Sequence, residues 1–407
     1  MDMSIASTVL LSAFAIAFVM GATANKTNFC TMGAVSDMVN MGDTGRFRAW
    51  IFAMLLAIAG VLILQASGII DTRLAVSGDS SFPPYRTAMF AWPRYLVGGL
   101  LFGIGMTLGS GCGNKTLVRL GGGNIKSLFV LICMGIGAYL MMYTNFMGNV
   151  FLSWMQPLFI DLASHGVTSQ GLGDMLAGSF MPDAAQTGHY IIGVVLVLAL
   201  LFWVLRSDDF RGRFDNILGG GVMGLGVIGG WFVSAGSLGQ SWMEEADFMD
   251  QPPLHVGAQS YTFVSPSGDL INLAMNGFSQ KLISFGLTAA LGVILGSLLF
   301  SLVARSFRIE WFSSMRDAFN HIVGGLLMGI GGVLGMGCTI GQGITGASTL
   351  AMGSFIAFGA IVLGSGLTMK VQYYKLLHED ATFLKALTSS LVDFKLLPSS
   401  MRSLESY

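Results

Sequence analysis

Residues 97–112 read VGGLLFGIGMTLGSGC, and residues 323–338 read VGGLLMGIGGVLGMGC. At a constant offset of 226 residues (323 − 97), twelve of the sixteen positions are identical, and the match ends with Cys112 aligned on Cys338. Two apolar spans share leucines by chance. They do not share six aligned glycines followed by an aligned cysteine. The chain therefore reads as two related halves, each with an apolar span that ends in a glycine-rich break. Gly99/Gly103 and Gly325/Gly329 stand at the G-x-x-x-G spacing that lets two helix backbones approach closely. A fainter echo relates 20–33 to 223–236 through Met20/Met223, Gly21/Gly224, Phe29/Phe232 and Gly33/Gly236, with Val233 where the first half has Cys30.

Composition says which solvent surrounds these spans. Apolar residues make up 53% of the 407 and charged residues 11%, against roughly 25% charged in soluble domains. Too few charges are available to cover a water-facing surface, so lipid is the solvent for much of the chain. A spanning helix needs about 20 apolar residues. Nine candidates fit: 5–25, 48–70, 95–111, 126–144, 189–206, 217–235, 282–303, 321–337 and 354–371. The first 25 residues lack the basic start of a secretory signal, so the first run is expected to stay as a membrane helix. Stretches 28–40, 112–124 and 338–351 are neither clean helix nor polar loop. They read as short re-entrant or broken helices, which membrane depth tolerates only where they are buried or line a cavity. The expected fold is thus an all-α integral membrane protein with about nine transmembrane helices, short re-entrant helices and two inverted pseudo-repeats. Its parts are 1–188 (first repeat with an external loop), 189–371 (second repeat) and 372–407 (a cytoplasmic tail).

The inversion is read from charge. Stretches 142–188 and 241–280 contain no Lys or Arg, whereas Arg206, Arg211 and Arg213, then Arg305, Arg308 and Arg316, and the C-terminal lysines are clustered. The positive-inside rule makes the basic connections cytoplasmic. With nine spans the N-terminus lies outside and the C-terminus inside, and the two copies of the repeat run in opposite directions. Segment 71–94 carries Arg73, Arg86 and Arg94 on the outer side, with Pro83 and Pro84, and is read as a structured external loop. Inverted repeats with broken helices place substrate sites near the repeat interface.

A net charge of −1 gives no reason to expect nucleic acid as a partner. Four cysteines without a C-x-x-C pair, and five scattered histidines, offer no disulfide framework, metal site or cofactor site. No catalytic constellation is present, and the chain is read as a non-enzyme. Chemistry concentrates in KTNFCTMGAVSDM (26–38), GSGCGNKTLVRLGGGN (109–124) and GMGCTIGQGITGAST (335–349), each with one cysteine at a break. A short helix starting after Cys112 or Cys338 would aim free N–H groups and a positive dipole end at a pathway, a ready anion site. A thiol adds a weak donor and a soft, polarizable surface suited to a sulfur-bearing anion. The path is assigned to Cys30, Cys112 and Cys338 with Gly111, Gly113, Asn114, Gly337, Thr339, Gly341 and Gln342. Gln342 also serves as a partner for broken backbone. Lys26, Lys115 and Arg119 either attract the anion or snorkel to the membrane surface. Cys133, mid-helix and without a repeat partner, is assigned to packing. Three functions stay open on residues alone: a permease for a small sulfur or selenium anion, a membrane subunit of a thiol redox system, and a structural anchor.

The elements N-F-C-T-x-G (28–33), G-x-G-C (109–112) and G-x-G-C-x-I-G-x-G (335–343), in that order, resemble the YeeE/YedE sulfur-transport family. The resemblance covers nearly the whole chain. It implies an hourglass-like, nine-span helical protein of the bacterial inner membrane, surrounded by lipid. It implies thiosulfate, or a related sulfur anion, passing by contacts between its sulfur and three essential thiols, here Cys30, Cys112 and Cys338. A sulfur-accepting protein in the cytoplasm would fit such a permease, although no motif in the sequence points to one.

Overall fold

The computed structural model describes residues 4–70, 85–178, 185–378 and 380–404. Its helices are α1 (Ile5–Lys26), α2 (Thr31–Ser36, continued by a π turn Asp37–Met41), α3 (Gly45–Ala66), α4 (Trp92–Leu108), α5 (Gly113–Gly121), α6 (Ile125–Tyr143), α7 (Ala185–Leu205), α8 (Phe214–Ala235), α9 (Ser237–Asp247), α10 (Ser265–Met275), α11 (Phe285–Val303), α12 (Met315–Leu334), α13 (Met352–Leu377) and α14 (Phe383–Asp393). Among the described residues nine helices are long and apolar enough to cross a membrane. At 1.5 Å per residue, a helix of about 20 residues spans the roughly 30 Å hydrocarbon layer. A two-stranded antiparallel pair, Met89–Phe90 with Ile160–Asp161, ties residues on either side of α4 and α6.

Local chemistry sets the helix ends. Ser4, Asn124, Ser284 and Ser314 each accept a backbone N–H from three residues on, at 3.0–3.3 Å, and so start α1, α6, α11 and α12. Pro93 occupies the first turn of α4, where its missing N–H costs nothing. The nine spans follow the expected ones within a few residues, with two extensions. α12 begins at Met315 rather than 321, because its charges are paired: Lys126 Nζ lies 2.9 Å from Asp317. α13 runs to Leu377 rather than 371 and carries Lys370, whose ammonium sits 5.2 Å from the Tyr373 ring. Hydropathy stops at a charge, but a helix stops only where its hydrogen bonds do. Beyond α13, α14 folds back, with Tyr374 Oη donating to Asp393 at 3.0 Å.

The repeated glycines make the helix contacts. α4 and α12 pack antiparallel: a Cβ on Gly98 would fall 2.2 Å from Gly335 N, and one on Gly105 would fall 2.7 Å from Gly324 O. The contacts are reciprocal. Gly324, the counterpart of Gly98, would strike Gly109 N at 2.4 Å, and Gly109 is itself the counterpart of Gly335. The G-x-x-x-G faces then exchange partners between halves. Gly99 and Gly103 abut Ala357–Ser365 on α13, and Gly325 and Gly329 abut Val130–Ala138 on α6. Cys133 lies in this seam, its Cβ 2.8 Å from where a Gly325 side chain would begin. It therefore occupies a packing position. The fainter echo diverges in structure, since α1 ends at Lys26 whereas α8 continues through Val233 to Ala235.

Two segments differ from the picture of external loops. Residues 258–264 run buried through the protein outside any helix, and α10 then packs against α6, with Gly268 on Ala138. Of the loop 71–94, residues 71–84 lie outside the described residues. Tyr85 and Arg86 are buried, and Arg86 pairs with Asp174 at 2.8 Å.

Candidate functional site

The three cysteines occupy one recurring turn. α1, α4 and α12 each end in a left-handed residue two positions before the cysteine: Asn28 (φ 51°), Ser110 (φ 58°) and Met336 (φ 60°). The next N–H in each case closes a six-residue loop back to the helix, Phe29→Ala24, Gly111→Met106 and Gly337→Gly332, at 2.7–3.1 Å. This is the Schellman termination. It uses non-glycine residues in a conformation that costs about 1 kcal/mol or more each. The chain then turns through the cysteine into a new short helix: α2 after Cys30, α5 after Cys112, and the stretch 339–348, largely a π turn Gly341–Gly346, after Cys338. The expected re-entrant helices are therefore present, and each thiol stands at the head of one.

Local bonds hold the thiols in place. Gly33 N–H donates to Cys30 Sγ at 3.5 Å and Gly341 N–H to Cys338 Sγ at 3.3 Å, so both sulfurs act as N-caps. Cys112 stands at the N-cap position of the nine-residue α5. Its sulfur lies 4.0 Å from Thr31 Oγ1, and Thr262 Oγ1 lies 3.8 Å from Cys338 Sγ.

The fold brings distant residues into a file. The Cys30 and Cys112 thiols meet side by side, and the Thr339 hydroxyl also approaches Cys112. Thr339 is the chain neighbour of Cys338, so the three cysteines fall in one buried group. All four residues are at most 6% exposed, and the cysteines are free thiols. Gly113 faces the Phe263 carbonyl, and Gly341 faces Thr262, where a Cβ would fall 2.6 Å from the hydroxyl. Lys115, from the first turn of α5, is buried and within electrostatic reach of both Cys30 and Cys112. Its ammonium bonds Asn28 Oδ1 and has no carboxylate partner among the described residues. A buried ammonium without a counter-charge is costly in isolation. Asn114 is buried beside it with an unpartnered Oδ1.

Other expected members lie differently. Gln342 is consumed by structure, with Nε2 donating to Gly335 O at 2.8 Å and Oε1 accepting from Ser354 at 2.6 Å. Gly111 and Gly337 form the turns, against the side chains of Lys115 and Gln342. Arg119 donates to Ser110 O at 2.5 Å and so caps α4 from across the break. Lys26 is exposed in the last turn of α1. Beyond Cys30, a cleft of about 410 Å³ is lined by Thr27, Arg46, Arg213, Phe214, Asp215 and Asn216. Arg46 joins this cleft to the file, since its guanidinium packs on Gly33 and pairs with Asp37. Thr31, Tyr85 and Thr262 border the file but were not read from sequence. Thr31 adjoins Cys30 in the chain and was within reach of such a reading. Tyr85 and Thr262 come from segments with no span-like signal.

Among the described residues, nine helices long and apolar enough to cross a membrane define a multi-pass membrane protein, with its three capping-position cysteines buried inside it. The chain belongs to the sulphur transport family, whose model matches residues 26–367. It is similar to the thiosulfate transporter TsuA of Spirochaeta thermophila, 22% identical over 331 residues, covering 78% of this chain and 85% of the relative. It is likewise similar to the thiosulfate transporter TsuA of Escherichia coli, 22% identical over 329 residues, covering 79% and 83%.

Proposed function

We propose that this protein is a permease that carries thiosulfate across the bacterial inner membrane along Cys338, Cys112 and Cys30. The contact of Cys30 with Cys112, with Thr339 bridging toward Cys338, carries the reading, together with relatives named for thiosulfate transport. Thiosulfate is a dianion with one soft sulfur and three hard oxygens. Helix-start N–H groups and the Lys115 ammonium attract the charge. The thiols supply contacts to sulfur that are individually weak, on the order of 1 kcal/mol or less. Weak contacts in series let the ion move on, where a pair of lysines would hold it. Sulfate offers the same charge with no soft atom. Two thiol contacts would therefore favour thiosulfate about tenfold or more, since about 1.4 kcal/mol is a factor of ten.

The test is uptake of labelled thiosulfate into vesicles that contain only this protein. Excess unlabelled thiosulfate is expected to suppress uptake, and excess sulfate is expected to leave it nearly unchanged. Equal competition by sulfate would remove the thiols from any role in selection.

The reciprocal antiparallel packing of α4 and α12 supports an inverted pair of repeats. So does the count of spans: corresponding helices α1 and α8 are the first and sixth. With the basic connection 206–213 in the cytoplasm, the Arg46–Arg213 cleft is the inner mouth and the place for a sulfur-accepting protein. A single cysteine near Asp250, in a background without the native cysteines, should react with an impermeant thiol reagent from outside intact cells. One near Lys395 should stay unlabelled. Reversed accessibility would invert the assignment.

A further inference from the structure

Buried polar atoms are almost always hydrogen-bonded, so those left without partners are informative. Tyr85 Oη and Thr339 Oγ1 are two such atoms. The residues are 2% and 0% exposed. Both atoms lie on the thiol file. The Tyr85 ring stands edge-on to Trp231, with centroids 6.4 Å apart, and lies over Gly346, where a Cβ would come within 2.8 Å of it. A Cβ on Gly341 would sit 3.7 Å from the Tyr85 hydroxyl, which is within electrostatic reach of Cys338. Thr339 approaches Cys112 without completing a bond of good geometry. Each orphaned hydroxyl thus has a thiol near it: Tyr85 by Cys338, and Thr339 by Cys112.

An orphaned hydroxyl is unfavourable for folding, and a tyrosine is a poor choice where only a ring is needed. Phenylalanine would fill the same space without the orphan. The same holds for valine in place of Thr339. What both hydroxyls can do is donate to an oxygen-bearing anion, and bonds to a charged acceptor are stronger than neutral ones. Thiols cannot do this well, because S–H is a weak donor.

We infer that Tyr85 and Thr339 are specificity-determining residues that bind the oxygens of the passing sulfur oxyanion while Cys338 and Cys112 meet its sulfur. The assignment rests on the permease reading and adds a second, hard-atom half to each binding position. It places Tyr85, from the segment before α4, as the first donor the ion meets on the Cys338 side. The ligand is a tetrahedral sulfur oxyanion with at least two oxygens free to accept.

The test compares wild type, Tyr85→Phe and Thr339→Val in two measurements: concentration dependence of labelled thiosulfate uptake in proteoliposomes, and thermal stability of the purified protein without substrate. Each variant is expected to need about tenfold more thiosulfate for half-maximal uptake, equivalent to about 1.4 kcal/mol of lost binding. Each is also expected to be as stable as wild type or more so, because it removes an orphaned group. A hydroxyl that only supports the fold would give the opposite pattern, with lower stability and unchanged half-saturation, and would overturn the inference. Wild-type half-saturation in both variants, beside a wild type that transports, would also overturn it while leaving the permease standing. A wild type that takes up no thiosulfate would overturn both.

Discussion

Replacing Cys112 or Cys338 with alanine is expected to bring thiosulfate uptake to background in a protein that still folds and inserts. Replacing Cys133 should leave uptake within about twofold, the size of effect that substitutions outside functional and core sites produce. The difference follows from where each sulfur sits. Cys338 Sγ accepts the Gly341 N–H at 3.3 Å and lies at the head of the helix that presents Thr339. Alanine there removes one contact to substrate sulfur and orphans a buried N–H, which costs about 1–3 kcal/mol. The positions act in series, so the worst one limits the flux. A combined loss of about 3 kcal/mol at that position is roughly a hundredfold. Cys112 touches both Cys30 and Thr339, so its loss removes the thiol that joins them. Cys133 meets the α6–α12 seam through its Cβ, which alanine keeps facing Gly325. Serine separates the two contributions at Cys338, since it can still take the Gly341 N–H but offers no soft surface. Cys338→Ser should therefore restore stability without restoring preference over sulfate. Uptake at wild-type level in Cys112→Ala or Cys338→Ala would show that the ion does not travel by the thiols.

The spans and the breaks were legible because they are local. Lipid selects runs of apolar residues, and a run that ends in Gly-x-Gly-Cys cannot continue as a regular helix at the same depth. The pairing of Gly99/Gly103 and Gly325/Gly329 with other helices was legible for the same reason, since only close approach explains that spacing. Which helix each face meets was not, because the exchange between halves is a tertiary choice: Gly103 lies against Ile361 and Ser365, over 250 residues away. The break at 28–40 was legible too, but the left-handed residue in each turn was not, because Asn28, Ser110 and Met336 all stand where glycine is the usual choice. The contact of Cys30 with Cys112 joins segments 82 residues apart, and nothing in either segment specifies it. Residues 258–264 escaped because their polar side chains find internal partners: Ser260 Oγ donates to Val227 O at 2.8 Å, and Tyr261 Oη to Ala13 O at 3.0 Å. A polar segment looks external until its partners are known.

Enlarging Gly98 or Gly324 tests the interface between the halves, and it should cost stability more than activity per folded molecule. A methyl at Gly98 would sit 2.2 Å from Gly335 N, and one at Gly324 would sit 2.4 Å from Gly109 N. Both obstacles are backbone, which cannot rotate away, so α4 and α12 must separate. Overpacking of this kind costs about 1–3 kcal/mol per site where side chains can adjust, and the upper end is expected here. The two sites bear on one contact with its reciprocal geometry, so one separation accommodates both methyls. Gly98→Ala and Gly324→Ala should therefore lower the melting temperature by similar amounts, and the double variant by clearly less than the sum, as neighbouring sites do. Gly359→Ala is the control. It lies in α13 with no atom within 4 Å of a new Cβ, and alanine is the better helix former by about 1 kcal/mol. It should leave the melting temperature unchanged or raise it. Thermal unfolding of the four purified variants in one detergent decides the matter. A strictly additive double variant would mean that the two copies of the repeat do not share a single interface, and the paired arrangement of the halves would have to be redrawn.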